Sequence, residues 1–219
     1  LQGQECLGGL DRVFVNNGLD ASGTLLLDLA WTADNCEPTT GVAWIDADSD
    51  GDEDLSVLTD DSVLLYRNER AALGALETLA DRIYASASDL TWGDVNSDGV
   101  PDLAVASGVV GQVQRLLLNR AIPLPTLAKS LAGLHKSTAI AWGDVDHDGD
   151  LDLAVGDEEE PAVVYANDGM QDGQLSLREI WRSASAGPVR SVAWGDANGD
   201  GHLDLALGAS TGARVYLNG

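Results

Sequence analysis

Ala139 to Gly156 reads AIAWGDVDHDGDLDLAVG, and the same phrase stands three more times in the chain. GVAWIDADSDGDEDLSVL begins at Gly41, DLTWGDVNSDGVPDLAVA at Asp89 and SVAWGDANGDGHLDLALG at Ser191. The first aspartates of the phrase, Asp46, Asp94, Asp144 and Asp196, recur at intervals of about fifty residues, the size of one unit in a repeat architecture. A second phrase follows each first one: LLYRN ending at Asn68, RLLLN at Asn119, VVYAN at Asn167 and RVYLN at Asn218, with a further copy, RVFVNN, at Arg12 to Asn17. A third, more diverged segment sets an aromatic or a leucine before small residues, around Trp31, Tyr84, Leu131 and Trp181.

These segments alternate, or are short apolar runs bounded by Gly, Asn, Asp or Ser, and none has a helical period long enough to compete. One unit therefore reads as four short strands: A (VAW), an acidic loop, B (LAVG), C (VYLN) and D (the Trp or Tyr segment). Four-stranded antiparallel units repeating at this length, none able to bury both faces alone, are the mark of an all-β propeller with the acidic loops between strands A and B. The strand count predicts one domain over 1–219 with about five blades, some incomplete: 1–38 partial, 39–88, 89–137, 138–188 and 189–219 partial. Trp44, Trp92, Trp142 and Trp194 recur two residues before each loop and are expected to pack between blades.

The loops are DADSDGDED (Asp46 to Asp54), DVNSDGVPD (Asp94 to Asp102), DVDHDGDLD (Asp144 to Asp152) and DANGDGHLD (Asp196 to Asp204). Oxygen donors recur at positions 1, 3, 5 and 9: Asp46, Asp48, Asp50 and Asp54; Asp94, Asn96, Asp98 and Asp102; Asp144, Asp146, Asp148 and Asp152; Asp196, Asn198, Asp200 and Asp204. Position 7 varies freely as Asp52, Val100, Asp150 and His202, which suits a ligand supplied by the backbone carbonyl. Crowded carboxylates repel, a close pair costing up to about 4 kcal/mol at 4 Å with an effective dielectric near 20. A hard cation taking six to eight oxygens answers that repulsion, and Gly at position 6 permits the sharp turn that points ligands inward. Up to four calcium ions are expected. An EF-hand would need Glu at position 12, where this chain has Val57, Val105, Val155 and Leu207.

The formal charge of −24 argues against nucleic acid or an anionic membrane as partner, and no apolar run is long enough for a membrane helix. A hydrophobic fraction of 44% with six Trp supplies more apolar surface than a disordered chain carries. Cys6 and Cys36 form no CxxC or Cys/His cluster. Cys6 precedes the first C strand and Cys36 follows the D strand paired with it, so a disulfide is expected there, two buried free thiols being the alternative.

The loops and the VYLN phrase resemble the FG-GAP or VCBS-type repeats of integrin α-subunit propellers and their bacterial and fungal relatives. In those repeats DxDxDGxxDL follows the first strand of a blade and VYLN(N)G marks the third. The likeness runs from Arg12 to Gly219 and implies that the donors at positions 1, 3, 5 and 9 are calcium ligands with a structural role. Integrin propellers have seven blades, so the shorter count here implies an incomplete ring, several chains completing one, or a five-bladed ring with partial blades. The resemblance implies a secreted or cell-surface recognition or adhesion module for a glycan or protein ligand. The alternatives are a structural spacer of a larger surface protein and a polysaccharide-active enzyme domain. Enzymatic function is not expected: of the three histidines, His147 and His202 lie inside calcium loops and His135 outside them, and there is no GxSxG, P-loop or HExxH. Trp31, Tyr84 and Trp181 on the D strands, and the acidic stretch Asp157 to Glu160, are candidate ligand contacts for which packing and solvation are the simpler explanations.

Overall fold

Short strands joined by tight connections can pair only with their sequence neighbours, and a meander results. The computed structural model describes residues 10–33, 37–60, 62–70, 72–80, 87–108, 114–119, 126–131, 136–184 and 187–219. Cys6, Cys36, Tyr84 and His135 lie outside the described residues, and with them the expected disulfide. Contacts divide the chain into two units, Leu1–Thr39 and Thr40–Gly219. The first holds β1 (Arg12–Leu19) and β2 (Leu25–Thr32), antiparallel with Arg12 opposite Thr32.

The second unit is built of four antiparallel sheets in which every strand neighbours the next in sequence. They are β3 to β6 (Thr39–Ile45, Asp54–Thr59, Val63–Asn68, Leu73–Ala80), β7 to β10 (Ala87–Gly93, Asp102–Ser107, Gln114–Leu118, Thr126–Leu131), β11 to β14 (Ser137–Gly143, Asp152–Asp157, Val163–Gln171, Gln174–Arg182) and β15 to β17 (Val189–Gly195, Asp204–Ala209, Gly212–Tyr216). Strands A, B and C fall where the phrases predict. The fourth strand needs one correction: the D strand of the β3 to β6 sheet is Leu73–Ala80, upstream of the Tyr84 segment chosen for its aromatic, and Ala87 already opens the next A strand. Alternation decides it, because Leu76 and Thr78 pair with Tyr66 and Leu64 of β5.

The second strands β4, β8 and β12 are buried along their whole length, and for β8 and β12 the reason is a neighbouring sheet on each face. Period-2 alternation sorts their side chains by size. Leu103 and Val105 join the cluster shared with the preceding sheet, whereas Ala104 and Ala106 join the one shared with the following sheet. Leu153 and Val155 face back in the same way while Ala154 faces forward, so large residues of one sheet meet small ones of the last. In β16 the residue at the matching position, Ala206, is only half-buried.

The four tryptophans behave as expected with one exception. Trp92 donates Nε1–H to Ser56 Oγ at 3.0 Å, and Trp142 and Trp194 pack into the clusters toward the preceding sheet. Trp44, on the first sheet of the unit, is 50% exposed. In three of the A strands a hydroxyl adds a second tie between sheets. Ser88 Oγ donates to Ser137 O at 2.6 Å, Thr40 Oγ1 to Ala87 O at 3.3 Å, and Thr138 Oγ1 to Val189 O. The register shifts between Ala87 and Asp89 and between Ser137 and Ala139 re-aim Ser88 and Thr138 toward the next sheet.

The glycine after the tryptophan is a space requirement. A Cβ on Gly143 would stand 2.6 Å from Trp194 Cδ1, and one on Gly93 would stand 2.6 Å from Leu151 Cδ1. On Gly195 it would meet nothing within 4 Å. Gly143→Ala should therefore destabilise by about 1–3 kcal/mol through overpacking, while Gly195→Ala stays within about 0.5 kcal/mol. Urea midpoints of the two variants make the comparison; equal midpoints would remove the close-approach explanation.

Candidate metal centres

Each acidic loop leaves the last residue of an A strand and returns at the first residue of B, where Gly93 pairs with Asp102, Gly143 with Asp152 and Gly195 with Asp204. Closing so wide a turn requires backbone reversals. Position 6 supplies one, with φ of 96°, 86°, 95° and 91° at Gly51, Gly99, Gly149 and Gly201, the left-handed region open to glycine. Position 4 supplies another, at Ser49 (59°), Ser97 (57°), His147 (60°) and Gly199 (78°). Only Gly199 marked position 4 in the sequence, so the second reversal was not legible at the other three loops.

The position-1 carboxylate organises the turn. Asp46 accepts N–H bonds from Asp50 and Gly51 at 3.0 Å each, Asp94 from Asp98 at 3.0 Å and Gly99 at 2.8 Å, and Asp196 from Asp200 at 3.1 Å and Gly201 at 2.9 Å. Position 5 accepts from the N–H of position 7, as Asp98 does from Val100 at 3.0 Å and Asp148 from Asp150 at 2.9 Å. Side chains at position 7 take other partners: Asp52 accepts from Arg70 N at 2.8 Å, Asp150 from Ser97 Oγ at 3.3 Å, and the His202 ring lies 4.9 Å from that of His147. That is compatible with a backbone carbonyl facing the loop centre at Asp52, Val100, Asp150 and His202.

Position 9 has a second job. Asp54, Asp102, Asp152 and Asp204 are fully buried. In each, one oxygen accepts the N–H of position 2 (Ala47 3.1 Å, Val95 3.2 Å, Val145 2.8 Å, Ala197 2.9 Å). The other accepts the N–H of the asparagine ending strand C (Asn68 2.8 Å, Asn119 2.7 Å, Asn167 2.9 Å, Asn218 2.8 Å). That asparagine reaches on to the loop of the preceding repeat: Asn119 Nδ2 donates to Ala47 O at 2.8 Å, Asn167 Nδ2 to Val95 O at 2.8 Å, and Asn218 Nδ2 to Val145 O at 2.9 Å. The VYLN asparagine was visible in the sequence as a repeat marker, but its bonding across repeats was not, since the partners stand more than seventy residues away.

Burial pushes the Asp102 carboxyl up to about 7, against the pull of the N–H bonds from Asn119 and Val95, with Asp98 and Asp94 adding to the rise. Burial also raises Asp54 and Asp152. A folded-state pKa above the unfolded one means that the native protein holds the extra proton between about pH 4 and 7, so metal-free stability falls as pH rises through that window. The metal-free protein should lose up to about 4 kcal/mol between pH 4 and 8 from Asp102, and Asp102→Asn should flatten the slope. Urea midpoints in chelator across that range measure it; a slope unchanged by the substitution would assign the effect elsewhere.

The donor set suits a hard cation. One oxygen from each of Asp46, Asp48 and Asp50 lies within 4.8 Å of the others, as do oxygens from Asp144, Asp146 and Asp152. Ligands at 2.3–2.6 Å from one calcium stand at most about 5 Å apart. Among the described residues, Asp48 Oδ1 and Asp144 Oδ1 are buried without a hydrogen-bond partner, a lack of donors that costs about 1–3 kcal/mol each unless a cation answers it. Asn96 and Asn198 replace the position-3 carboxylate in the other two loops, each accepting the position-5 N–H at 2.9 Å.

The remaining candidates are engaged elsewhere. Trp181 packs edge-on against Tyr216 with ring centroids 4.9 Å apart. In the Asp157 to Glu160 stretch, Asp157 accepts three backbone N–H groups, from Lys136, Glu159 and Glu160, while Glu158 pairs with Lys136 and with Arg190 at 2.7 Å. At the first loop Arg67, unremarked in the sequence, pairs with Asp48 and Glu77.

The sequence model of the FG-GAP-like repeat matches residues 46–105 and 144–207, more than half of the chain. No curated protein sequence matches the chain. Among solved structures, the chain is similar to one described as the crystal structure of BBS1N in complex with ARL6DN, soaked with lead, with a TM-score of 0.53 and 12% identity. That match covers 78% of this chain and 52% of the other, so the chain spans about half the length of its neighbour.

Proposed function

The chain belongs to the FG-GAP-like repeat family, and from that premise we propose a calcium-stabilised β-propeller module that recognises a glycan or protein ligand outside the cell. The observation that carries the calcium part is the convergence of loop oxygens, two of them orphaned acceptors, at the same place in repeated sheets. Calcium bound there would neutralise the gathered carboxylates and fix the end of strand A to the start of strand B. Asp46, Asp94, Asp144 and Asp196 shape each turn; the donors at positions 3 and 5 complete its rim; position 9 anchors it to the sheet.

The role of these residues is architectural, and the reading is not enzymatic. Recognition would fall to the connections at the opposite ends of the strands, such as 208–213, since successive turns of a meander alternate sides and this one lies away from the acidic loop. An extracellular setting, where calcium is millimolar, suits sites of modest affinity. A glycan array probed with the full chain in calcium and in chelator tests the reading. Binding that requires calcium supports it, turnover of a bound glycan would replace it with an enzyme, and silence on glycan and candidate protein ligands alike would leave only a spacer.

A further inference from the structure

The residue before the strand-C asparagine is Leu118, Ala166 and Leu217 in three repeats and Arg67 in the first. The loop beside Arg67 is also the most acidic, with Asp46, Asp48, Asp50, Asp52, Glu53 and Asp54 in nine residues. Glu77, opposite Leu65 on the neighbouring strand, grips the guanidinium as a fork: Arg67 Nε donates to Oε1 at 3.0 Å and Nη2 to Oε2 at 3.3 Å. The remaining nitrogen, Nη1, is thereby delivered to Asp48 Oδ2, at the loop's third donor position. Both Arg67 and Asp48 keep only about a fifth of their side-chain surface exposed, so water screens the pair less than it would on the open surface.

We propose that Arg67 is a tethered counter-cation of the first loop, competing with calcium for Asp48 and making this the weaker of the two all-carboxylate sites. The inference rests on the calcium reading given above. Without metal, the guanidinium supplies part of the charge that the loop needs, so the first loop depends less on calcium than the loop from Asp144 to Asp152. With metal, the position-3 carboxylate holds a fixed positive charge on Oδ2 while Oδ1 faces the ion, and repulsion between the two cations lowers affinity. In the Asp144 loop the corresponding strand-C residue is Ala166, and the cation opposite it, Arg178, gives its hydrogen bonds to Asp168 and reaches Asp146 only through space. The array therefore holds sites of graded affinity, set by one residue outside the loops.

The position-6 glycine amides report the loops separately, because Gly51, Gly99, Gly149 and Gly201 each donate to the position-1 carboxylate of their own loop. The test follows these four amides by two-dimensional NMR while calcium alone is titrated into the metal-free chain. In the parent protein Gly51 should respond at higher calcium than Gly149. Arg67→Leu, which installs the residue of two other repeats, should lower the Gly51 midpoint at least tenfold and leave that of Gly149 in place. Arg67→Gln keeps polarity without charge and should do the same, which secures the test if the leucine variant does not fold. A Gly51 midpoint unmoved or raised in the folded variant, with the other glycines responding, overturns the role of Arg67 alone. No response at any of the four glycines overturns the calcium reading and this inference with it.

Discussion

Stripping calcium from the protein should lower its melting temperature by about 5–10 °C for every well-filled loop that is emptied. An ion bound only to the folded state contributes RT ln(1 + [L]/Kd), about 2.7 kcal/mol at one hundred times Kd. For a chain of this length, about 1 kcal/mol moves the transition by 2–4 °C. The loops also hold themselves in part, since the position-1 and position-5 carboxylates already accept backbone N–H groups. Those bonds set the turn, but they do nothing for the repulsion among Asp144, Asp146 and Asp152 or for the orphaned oxygens of Asp48 and Asp144. The drop should therefore be dominated by the Asp144 loop, and smaller for the two loops with asparagine at position 3. Calorimetry in millimolar calcium and in excess chelator measures it. Coincident transitions would mean that hydrogen bonds alone hold the loops, and the metal assignment would fall.

The sheet order was legible because the sequence repeats its own punctuation: a tryptophan, an acidic turn and a short apolar run return in register, so each strand was seen four times. The fourth strand was misread where that redundancy failed, at Leu73–Ala80, whose only signals are modest alternation and pairing with β5. Among loop residues, the oxygen donors could be read from spacing, since ligand geometry constrains residue type directly. Their partners could not. Asn119, Asn167 and Asn218 act on loops of the preceding repeat, and Arg67 acts from the neighbouring strand, contacts that exist only once the sheets are stacked. Position 9 shows the limit most plainly. Sequence presents Asp152 as one more metal ligand, whereas the fold also makes it the acceptor that ties the loop to two strands.

This dual role links the loops to one another. In three of the four repeats the position-9 carboxylate orients the strand-C asparagine through its backbone N–H, and the side chain of that asparagine holds the position-2 carbonyl one repeat earlier; Asn68 instead bonds Glu53 O of its own loop. Ordering one loop thus favours the order of the loop beside it, through a single side chain.

Asp152→Ala should be the most damaging single loop substitution, costing about 3–6 kcal/mol even in metal-free protein. The carboxylate is completely buried, and its two oxygens accept Val145 N–H at 2.8 Å and Asn167 N–H at 2.9 Å. Truncation leaves both donors without an acceptor at about 1–3 kcal/mol each, and opens a void at the junction of β11, β12 and β13. Relief from burying a charge works the other way, as burial raises the pKa of Asp152, but the two N–H bonds already offset part of that cost. Asp152→Asn keeps one carbonyl oxygen and turns its amide toward a donor, so it should fall between the parent and the alanine variant. Asp168→Ala is the control: its ion pair with Arg178 at 3.0 Å is open to solvent, which screens it, and its loss should leave stability nearly unchanged. Calcium should widen the gap between parent and Asp152→Ala, because the truncated loop also loses a ligand. The coupling is open to a double-mutant cycle with Asn167→Ala. The asparagine side chain bonds Val95 O and Leu151 O, so the two substitutions loosen one junction, and their costs should add to less than the sum of the singles. Denaturant unfolding of the four proteins decides it. A cost below about 1 kcal/mol for Asp152→Ala in chelator, or strict additivity with Asn167→Ala, would show that position 9 serves the metal alone.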